Sequence, residues 1–147
     1  MTQVNIKRVY DEPSEQDGYR VLVDRLWPRG MKREYLKYDY WAKEVTPSND
    51  LRKWFHADIE KRWGTFADMY QKELNESDAA KAFIDKIKAY SKVTLLYASK
   101  EQERNHANVL KHYITHICSF CAKNKYLCSQ LWLPLLKNRE FSLNNQY

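Results

Sequence analysis

Residues 19–30, YRVLVDRLWPRG, indicate the fold class more strongly than any other stretch of this sequence. Val21, Leu22 and Val23 form a short apolar run, which is typical of a strand buried on both faces of a parallel sheet. The chain then turns polar. Trp27 precedes a proline, which favours extended backbone, and the glycine that follows suits a tight turn. Because ligands of open α/β sheets bind beyond the carboxyl ends of the strands, the stretch predicts a buried strand followed by a candidate site.

The rest of the chain supplies strands and helices that fit around this strand. VTLLYA at residues 93–98 predicts a central parallel strand, and apolar stripes at helical spacing predict four helices. The predicted order is three strands, three helices, one strand and one helix. This order predicts a three-layer α/β fold with helices packed on a small, mostly parallel sheet of about four strands. The predicted strands are residues 4–9, 19–25, 38–45 and 93–98, and the predicted helices are 49–56, 58–74, one from 77, and 103–117.

Composition excludes several functional classes. Three glycines in 147 residues are too few for a glycine-rich phosphate loop, and neither the Rossmann nor the P-loop motif occurs, so no cofactor is expected. No run approaches the roughly 18 apolar residues of a membrane-spanning helix, and the first residues lack the apolar segment of a signal peptide. The three cysteines are odd in number and do not form a disulfide framework. We therefore expect a cytoplasmic protein with no membrane partner.

The last 30 residues differ in composition from the rest of the chain. They hold all three cysteines and carry four basic residues and one acidic residue, whereas the other 117 residues carry 21 and 18. We predict a single α/β domain at residues 1–117 and a C-terminal extension at residues 118–147. An alternative for the extension is a zinc site at Cys118, Cys121 and Cys128. One C-x-x-C without a second pair does not predict zinc binding by itself, so no metal is expected.

Positive charge is concentrated after the second predicted strand. The segment Arg25–Lys37, called the basic segment below, holds five basic residues and one acidic residue. Arg25 and Arg29 come directly beyond the strand, and their guanidinium groups could hold a carboxylate or phosphate with two parallel hydrogen bonds. The alternative interpretation is that Asp24 and Arg25 pair with each other or with neighbouring groups and only hold the loop in place.

A second polar cluster follows the VTLLYA strand. Lys100 lies just beyond the strand, and Asn105 and His106 fall in the first turn of the last helix, where free N–H groups favour an anion. Lys43, in the third predicted strand, and Ser48, which begins the first predicted helix, complete the predicted ligand-binding set. His106 is also the candidate general acid or base. The alternative is that Asn105 and His106 only satisfy loop carbonyl groups.

Three long motifs resemble the YeaO-like family, domain-of-unknown-function family 488. They are RVYDEPSEQDGYRVLVDRLWPRG, YWAKEVTPSNDLRKWFHADIEKRWGTFADMYQKEL and VTLLYASKEQERNHANVL, within residues 6–114. The resemblance implies a small cytoplasmic α/β protein and brings no established activity. The signature residues that it implies here are Arg25, Trp27, Pro28, Arg29, Gly30, Trp41, Lys43, Pro47, Ser48, Trp54, Phe55, Trp63, Tyr97, Lys100, Asn105 and His106.

The resemblance also bears on chemistry at the start of the last helix. In longer, more distant relatives of this family the helix begins Cys-His-Arg. The matching positions here are Asn105, His106 and Ala107. Because the thiol is absent, a covalent thiol mechanism at this position is not expected.

Three functions are compatible with these patterns. The favoured one is a pocket for a small anionic ligand, phosphate- or nucleotide-like, clamped by Arg25 and Arg29 with added charge from Lys43 and Lys100. The second is a nucleic-acid-associated protein, in which the basic segment contacts phosphates and exposed aromatic rings stack on bases. The third is a structural or interaction module without a ligand. The sequence shows no activated nucleophile, so it leaves catalysis undecided.

Overall fold

Four strands and four helices make up the fold in a computed structural model, which describes the backbone of residues 2–123 and the side chains of residues 2–117. The strands are β1 (Gln3–Arg8), β2 (Tyr19–Leu22), β3 (Tyr40–Trp41) and β4 (Lys92–Tyr97). The helices are α1 (Asn49–Ala57), α2 (Ile59–Glu76), α3 (Asp78–Ile87) and α4 (His106–Lys123). Short 3-10 helices occupy Glu15–Asp17 and Lys43–Val45.

The four strands form one sheet in the order β1-β4-β2-β3, and every pairing is parallel. In the middle of the sheet, Leu95 of β4 lies between Ile6 of β1 and Val21 of β2. Because β2 and β4 are adjacent and parallel, the chain leaves both strands at the same edge of the sheet. The predicted α/β class with a small parallel sheet is confirmed.

The two faces of the sheet are covered differently. Val21 and Leu95 point into the larger core, to which all four helices contribute. Leu22 and Leu96 point the other way, into a smaller cluster with Leu36 from the loop between β2 and β3. Helices, sheet and this loop are the three layers, and the continuous apolar runs of β2 and β4 follow from burial on both faces.

Side-chain caps begin the first three helices. Ser48, Asp58 and Ser77 each accept a hydrogen bond from the backbone N–H three residues further on, at 3.2–3.3 Å. Such a cap satisfies one of the N–H groups that the first turn of a helix leaves without a partner. The local sequence therefore sets where α1, α2 and α3 start.

Gly18 allows β2 to begin close beside β4. Its backbone has φ +67°, and a Cβ atom at this position would lie 2.4 Å from the carbonyl oxygen of Lys92. Only glycine adopts this conformation without strain and leaves room for the neighbouring backbone.

The third predicted strand is much shorter than expected. Only Tyr40 and Trp41 pair with β2, and Lys43–Val45 turns into a 3-10 helix, so Lys43 does not lie in a strand. Residues 38–45 alternate in polarity, but β3 is an edge strand with a single neighbour. Because β3 pairs on one side only, its length is set by the short β2. Alternation in the sequence of β3 does not indicate how long its partner strand is.

The last helix is longer than expected. It continues to Lys123, six residues beyond the predicted end of the domain, so the predicted extension at residues 118–147 begins within the backbone of α4. Residues 124–147 lie outside the described part of the chain, so the predicted division into a domain and an extension stays a prediction. Across residues 2–123, no helix combines the length and the apolar character needed to cross a bilayer.

Candidate functional site

A cleft of about 310 Å³ lies at the carboxyl edge of the sheet, between the ends of β2 and β4 and the start of α4. The loop after β2 and the loop after β4 form two of its walls, and residues of α1 and α2 form another. Its described polar lining residues are Asp24, Arg25, Arg29, Thr46, Arg52, His56, Ser99, Arg104, Asn105 and His106.

His106 joins the start of α4 to the end of β2. Its Nε2 lies 2.8 Å from the carbonyl oxygen of Val23 and 3.1 Å from Asp24 Oδ1. A carbonyl oxygen only accepts hydrogen bonds, so Nε2 carries the hydrogen and Nδ1 is the ring nitrogen left for a ligand or proton. His106 therefore does satisfy a loop carbonyl, as the alternative interpretation predicts, but with one nitrogen only.

Asp24 is held at both carboxylate oxygens. Oδ1 faces His106, and Oδ2 accepts a hydrogen bond from the backbone N–H of Ala98 at 2.8 Å. Among the described residues, Asp24 thus pairs with His106 and not with Arg25, and contacts with neighbouring groups are what the alternative interpretation also allows. Asp24 links the ends of β2 and β4 and fixes the floor of the cleft.

Arg25 and Arg29 both line the cleft. Arg25 donates one hydrogen bond, from Nη1 to the carbonyl oxygen of Pro47 at 3.3 Å. Arg29 has an exposed side chain, and its backbone carbonyl accepts a hydrogen bond from the Tyr10 hydroxyl at 2.8 Å. The backbone of Arg29 is therefore anchored, whereas its side chain is exposed.

Helix α1 adds two residues that the sequence interpretation missed, Arg52 and His56. Arg52 Nε is buried and has no hydrogen-bond partner among the described residues. Burial, with smaller contributions from the charges of Arg52 and His106, lowers the pKa of His56. Partial burial and nearby positive charge both disfavour the protonated imidazole.

A sequence signal for these residues exists. Arg52 and His56 are four residues apart, the spacing of neighbours on one face of a helix. They flank Phe55, which is buried and also lines the cleft. Basic residues at the boundary of the apolar stripe of a helix could therefore have been predicted as site residues, together with those of the loops. Arg104, just before α4, was missed although it lies within the second predicted cluster.

Asn105 is buried and caps α4. Its Nδ2 donates hydrogen bonds to the carbonyl oxygens of Glu101 at 2.8 Å and Gln102 at 3.0 Å, and its Oδ1 accepts one from the N–H of Asn108 at 3.0 Å. Both amide hydrogens are used, so this side chain has no donor left for an anion. The residue that replaces the thiol of distant relatives is thus a helix cap.

Three residues of the predicted ligand-binding set do not line the cleft. Lys43 is exposed, with Nζ 3.8 Å from the ring centroid of Trp41. Ser48 caps α1 and donates a hydrogen bond to Glu73 Oε1 at 2.6 Å. Lys100 is exposed beyond β4. Nearness to a strand end along the chain placed these residues in the set, but their side chains leave in other directions.

A metal site is absent from the described side chains, since no three of their His, Cys, Asp or Glu groups are placed to hold a metal ion. The alternative zinc site depends on Cys118, Cys121 and Cys128, whose side chains lie outside the described residues.

The model of a protein family described as "Inactive DUF488-N3 subclade" matches residues 3–126 of the chain. The chain belongs to the YeaO-like DUF488 family. This membership confirms the resemblance seen in the three sequence motifs, and the matched region covers all four strands and all four helices.

Two relatives with high identity to the chain are both uncharacterized proteins. The chain is 43% identical to the uncharacterized protein YeaO of Escherichia coli K12 over 111 residues, which are 76% of this chain and 96% of that protein. It is also 43% identical to the uncharacterized protein Rv3073c of Mycobacterium tuberculosis H37Rv over 109 residues, 74% of this chain and 91% of that protein. No solved structure matches the chain.

Proposed function

We propose that the cleft binds a small anionic ligand, phosphate- or nucleotide-like, without covalent chemistry. The observation that carries the proposal is the charge of the lining, in which four arginines face one carboxylate. That carboxylate, Asp24, is already held by His106 and by a backbone N–H. Cations that exceed their partners in a concave, partly water-excluded site attract an anion, because such a site focuses their field.

The types of group in the lining favour phosphate over other anions. Arg25, Arg29 and Arg52 offer planar guanidinium forks, which match the oxygens of a phosphate better than an ammonium group does. The start of α4 adds the positive end of a helix dipole. Phe55 and Trp27 supply apolar faces for the rest of the ligand. The cleft volume of about 310 Å³ is at the small end of ligand sites, which suits a mononucleotide or sugar phosphate.

Binding without catalysis fits two further observations. Asn105, at the position of the thiol in distant relatives, uses its side chain to cap α4. The matched family is itself described as inactive. His106, the predicted general acid or base, has only Nδ1 available, and in this proposal Nδ1 is a polar contact to the ligand.

The proposal includes a cytoplasmic location. Residues 1–117 contain no cysteine, so the domain folds without a disulfide, as proteins of reducing compartments do. Fractionation of cells that express the tagged protein at native level tests this part; recovery in an extracytoplasmic fraction would contradict it.

Calorimetric titration with inorganic phosphate and with a nucleoside monophosphate tests the binding site. Arg52→Gln should weaken binding about tenfold, because it removes a guanidinium from the lining. The matched control is Lys100→Gln, which removes the same charge from a residue outside the lining, and it should change affinity by less than about twofold.

The outcomes are distinct. Equal weakening by both variants would show attraction to the surface charge as a whole, and the proposed site would be wrong. Failure of every phosphate tested to bind the folded protein would contradict the proposal outright. Thermal unfolding without ligand confirms that both variants are folded.

A further inference from the structure

We propose that the ligand of the cleft is one phosphate of a single-stranded nucleic acid, whose neighbouring bases stack on aromatic rings of the basic segment (residues 25–37) and its flanks. This inference rests on the proposed function, because the cleft must accept a phosphate. Its own support comes from the surface that continues outward from the cleft, where exposed rings and cations alternate.

Exposed aromatic rings are grouped on this surface. Tyr35 is 67% exposed, Tyr10 is 45% exposed and Tyr38 is 36% exposed. Trp27 is half-buried and packs edge-on against Tyr38, with ring centroids 5.8 Å apart. Large rings left in water at one edge of a sheet are a stacking platform for bases, since every base has an aromatic face.

Cations lie beside these rings. The basic segment holds five basic residues and only one acidic residue, Glu34. Three of these rings have a cationic group within 6 Å of the ring centroid: Arg8 is 5.1 Å from Tyr10, Arg33 is 5.3 Å from Trp27, and Lys32 is 5.9 Å from Tyr35. A single-stranded nucleic acid carries anionic phosphates and aromatic bases in alternation. Its phosphates can therefore contact the cations while its bases stack on the rings.

The aromatic surface and the cleft are continuous. Arg29 lines the cleft, and its carbonyl oxygen accepts the hydrogen bond from Tyr10. Trp27 also lines the cleft and reaches Tyr38 on its other side. A phosphate held in the cleft would therefore leave the adjoining nucleotides next to these rings.

The rings favour a single strand over a duplex. Base faces in a duplex are already stacked on one another and cannot lie against tyrosine or tryptophan. The basic segment alone would attract either form through its charge, so the aromatic contribution separates them.

Fluorescence anisotropy with labelled dT12 tests the inference. A Tyr35→Ala/Tyr38→Ala double variant should bind dT12 at least about fivefold more weakly, and Tyr35→Phe/Tyr38→Phe should restore binding because the rings remain. Tyr90→Ala is the matched control, since Tyr90 is 39% exposed but stacks on Tyr19 at the opposite edge of the sheet. If four phosphates are contacted, affinity should fall roughly 50-fold between 50 and 200 mM salt.

Competition links the aromatic surface to the cleft. A nucleoside monophosphate should displace dT12, and Arg52→Gln should weaken the binding of both ligands, whereas the tyrosine double variant should weaken dT12 alone. If the monophosphate binds and dT12 binds no more tightly, the inference is wrong and the proposed function stands. If dT12 binds, the monophosphate does not, and Arg52→Gln has no effect, the proposed function fails. Equal binding of a duplex with no effect of the tyrosine variant would rule out stacking.

Discussion

The two ends of β2 each carry an aspartate, and the two aspartates have opposite surroundings. Asp17, before the strand, is buried and contacts Lys7 Nζ at 3.2 Å and the guanidinium group of Arg20 at still closer range. Asp24, after the strand, pairs with His106, while four arginines and a second histidine line the cleft around it.

The difference lies in how charge is balanced. At the amino end of β2, called the matched end below, both cations contact the Asp17 carboxylate in a closely packed group, so this group stabilises the fold. At the carboxyl end, cations exceed the carboxylate, and the excess is open to an anion. In the proposed function, the same residue type beside the same strand is therefore structural or functional according to the opposite charges that the fold gathers around it.

Removing the Asp17 carboxylate from the matched end should have the largest effect on the stability of the protein. Asp17→Ala leaves Arg20, whose side chain is 8% exposed, as a buried charge without its carboxylate. Loss of one partner of a buried pair costs about 3–5 kcal/mol, so we expect the free energy of unfolding in urea to fall by about 3 kcal/mol. Lys7→Ala, whose side chain is 22% exposed, is the control and should cost about 1 kcal/mol or less. Equal costs for the two variants would contradict the structural assignment of Asp17.

Low pH should reduce the stabilisation that the Asp17 carboxylate provides at the same end of β2. Burial alone would raise the pKa of Asp17, but hydrogen bonds from the Ser14 N–H, Lys7 and Arg20 together lower that pKa below its usual value. The folded protein therefore binds this proton less readily than the unfolded chain. The stabilisation is complete above the unfolded pKa of about 3.9 and is lost as pH falls through the lower folded pKa. Urea unfolding between pH 5 and 2.5 should show a steeper loss of stability in the wild type than in Asp17→Asn; parallel curves would contradict this.

The unmatched end should show the reverse pattern, with binding lost and stability kept. The exposed side chain of Arg29 lines the cleft, so Arg29→Ala should change the free energy of unfolding by no more than about 0.5 kcal/mol. It should weaken phosphate binding about tenfold, and Arg29→Lys nearly as much, because lysine lacks the planar fork. A stability loss of several kcal/mol in Arg29→Ala would reveal a structural ion pair and remove the contrast between the two ends.

The pH dependence of binding should reveal the excess charge directly. Burial, Arg52 and His106 lower the pKa of His56, and a bound anion would raise that pKa again, so binding takes up a proton. Sulfate is the suitable probe, because its own charge does not change between pH 7.5 and 5.5. We expect its affinity to increase about threefold as pH falls over this range, and His56→Gln to reduce the increase. An affinity that does not change with pH would place the anion away from His56.

The smallest effect is expected from removing the residues after Lys123. Both ends of β2 are built from residues that precede Lys123. A chain that ends at Lys123 should therefore unfold cooperatively, with a free energy of unfolding within about 0.5 kcal/mol of that of the full chain. Near-ultraviolet circular dichroism and urea unfolding provide the measurement. A molten or insoluble truncated protein would show that the apolar cluster at residues 131–136 belongs to the core and that the predicted boundary is wrong.

The sequence by itself determined the elements that depend on local patterns. The apolar runs at residues 21–23 and 93–98 predicted the two central strands, because a strand covered on both faces must be apolar without interruption. Ser48 and Ser77 predicted helix starts, because a capping hydroxyl acts on the next turn of its own chain. The predicted parallel sheet places the ends of its strands at one edge, but the adjacency of β2 and β4 came only from the structure.

Only the tertiary structure decided which charged side chains meet. Lys43 and Lys100 are close to the ends of predicted strands along the chain, yet neither lines the cleft. Arg52 and His56 reach it from α1, which the packing of helices on the sheet brings alongside. The alternation in residues 38–45 likewise did not determine the length of β3, because pairing depends on the neighbouring strand. Local sequence sets where a backbone turns, but the direction of a long side chain and the charges it meets depend on what the rest of the chain packs against it.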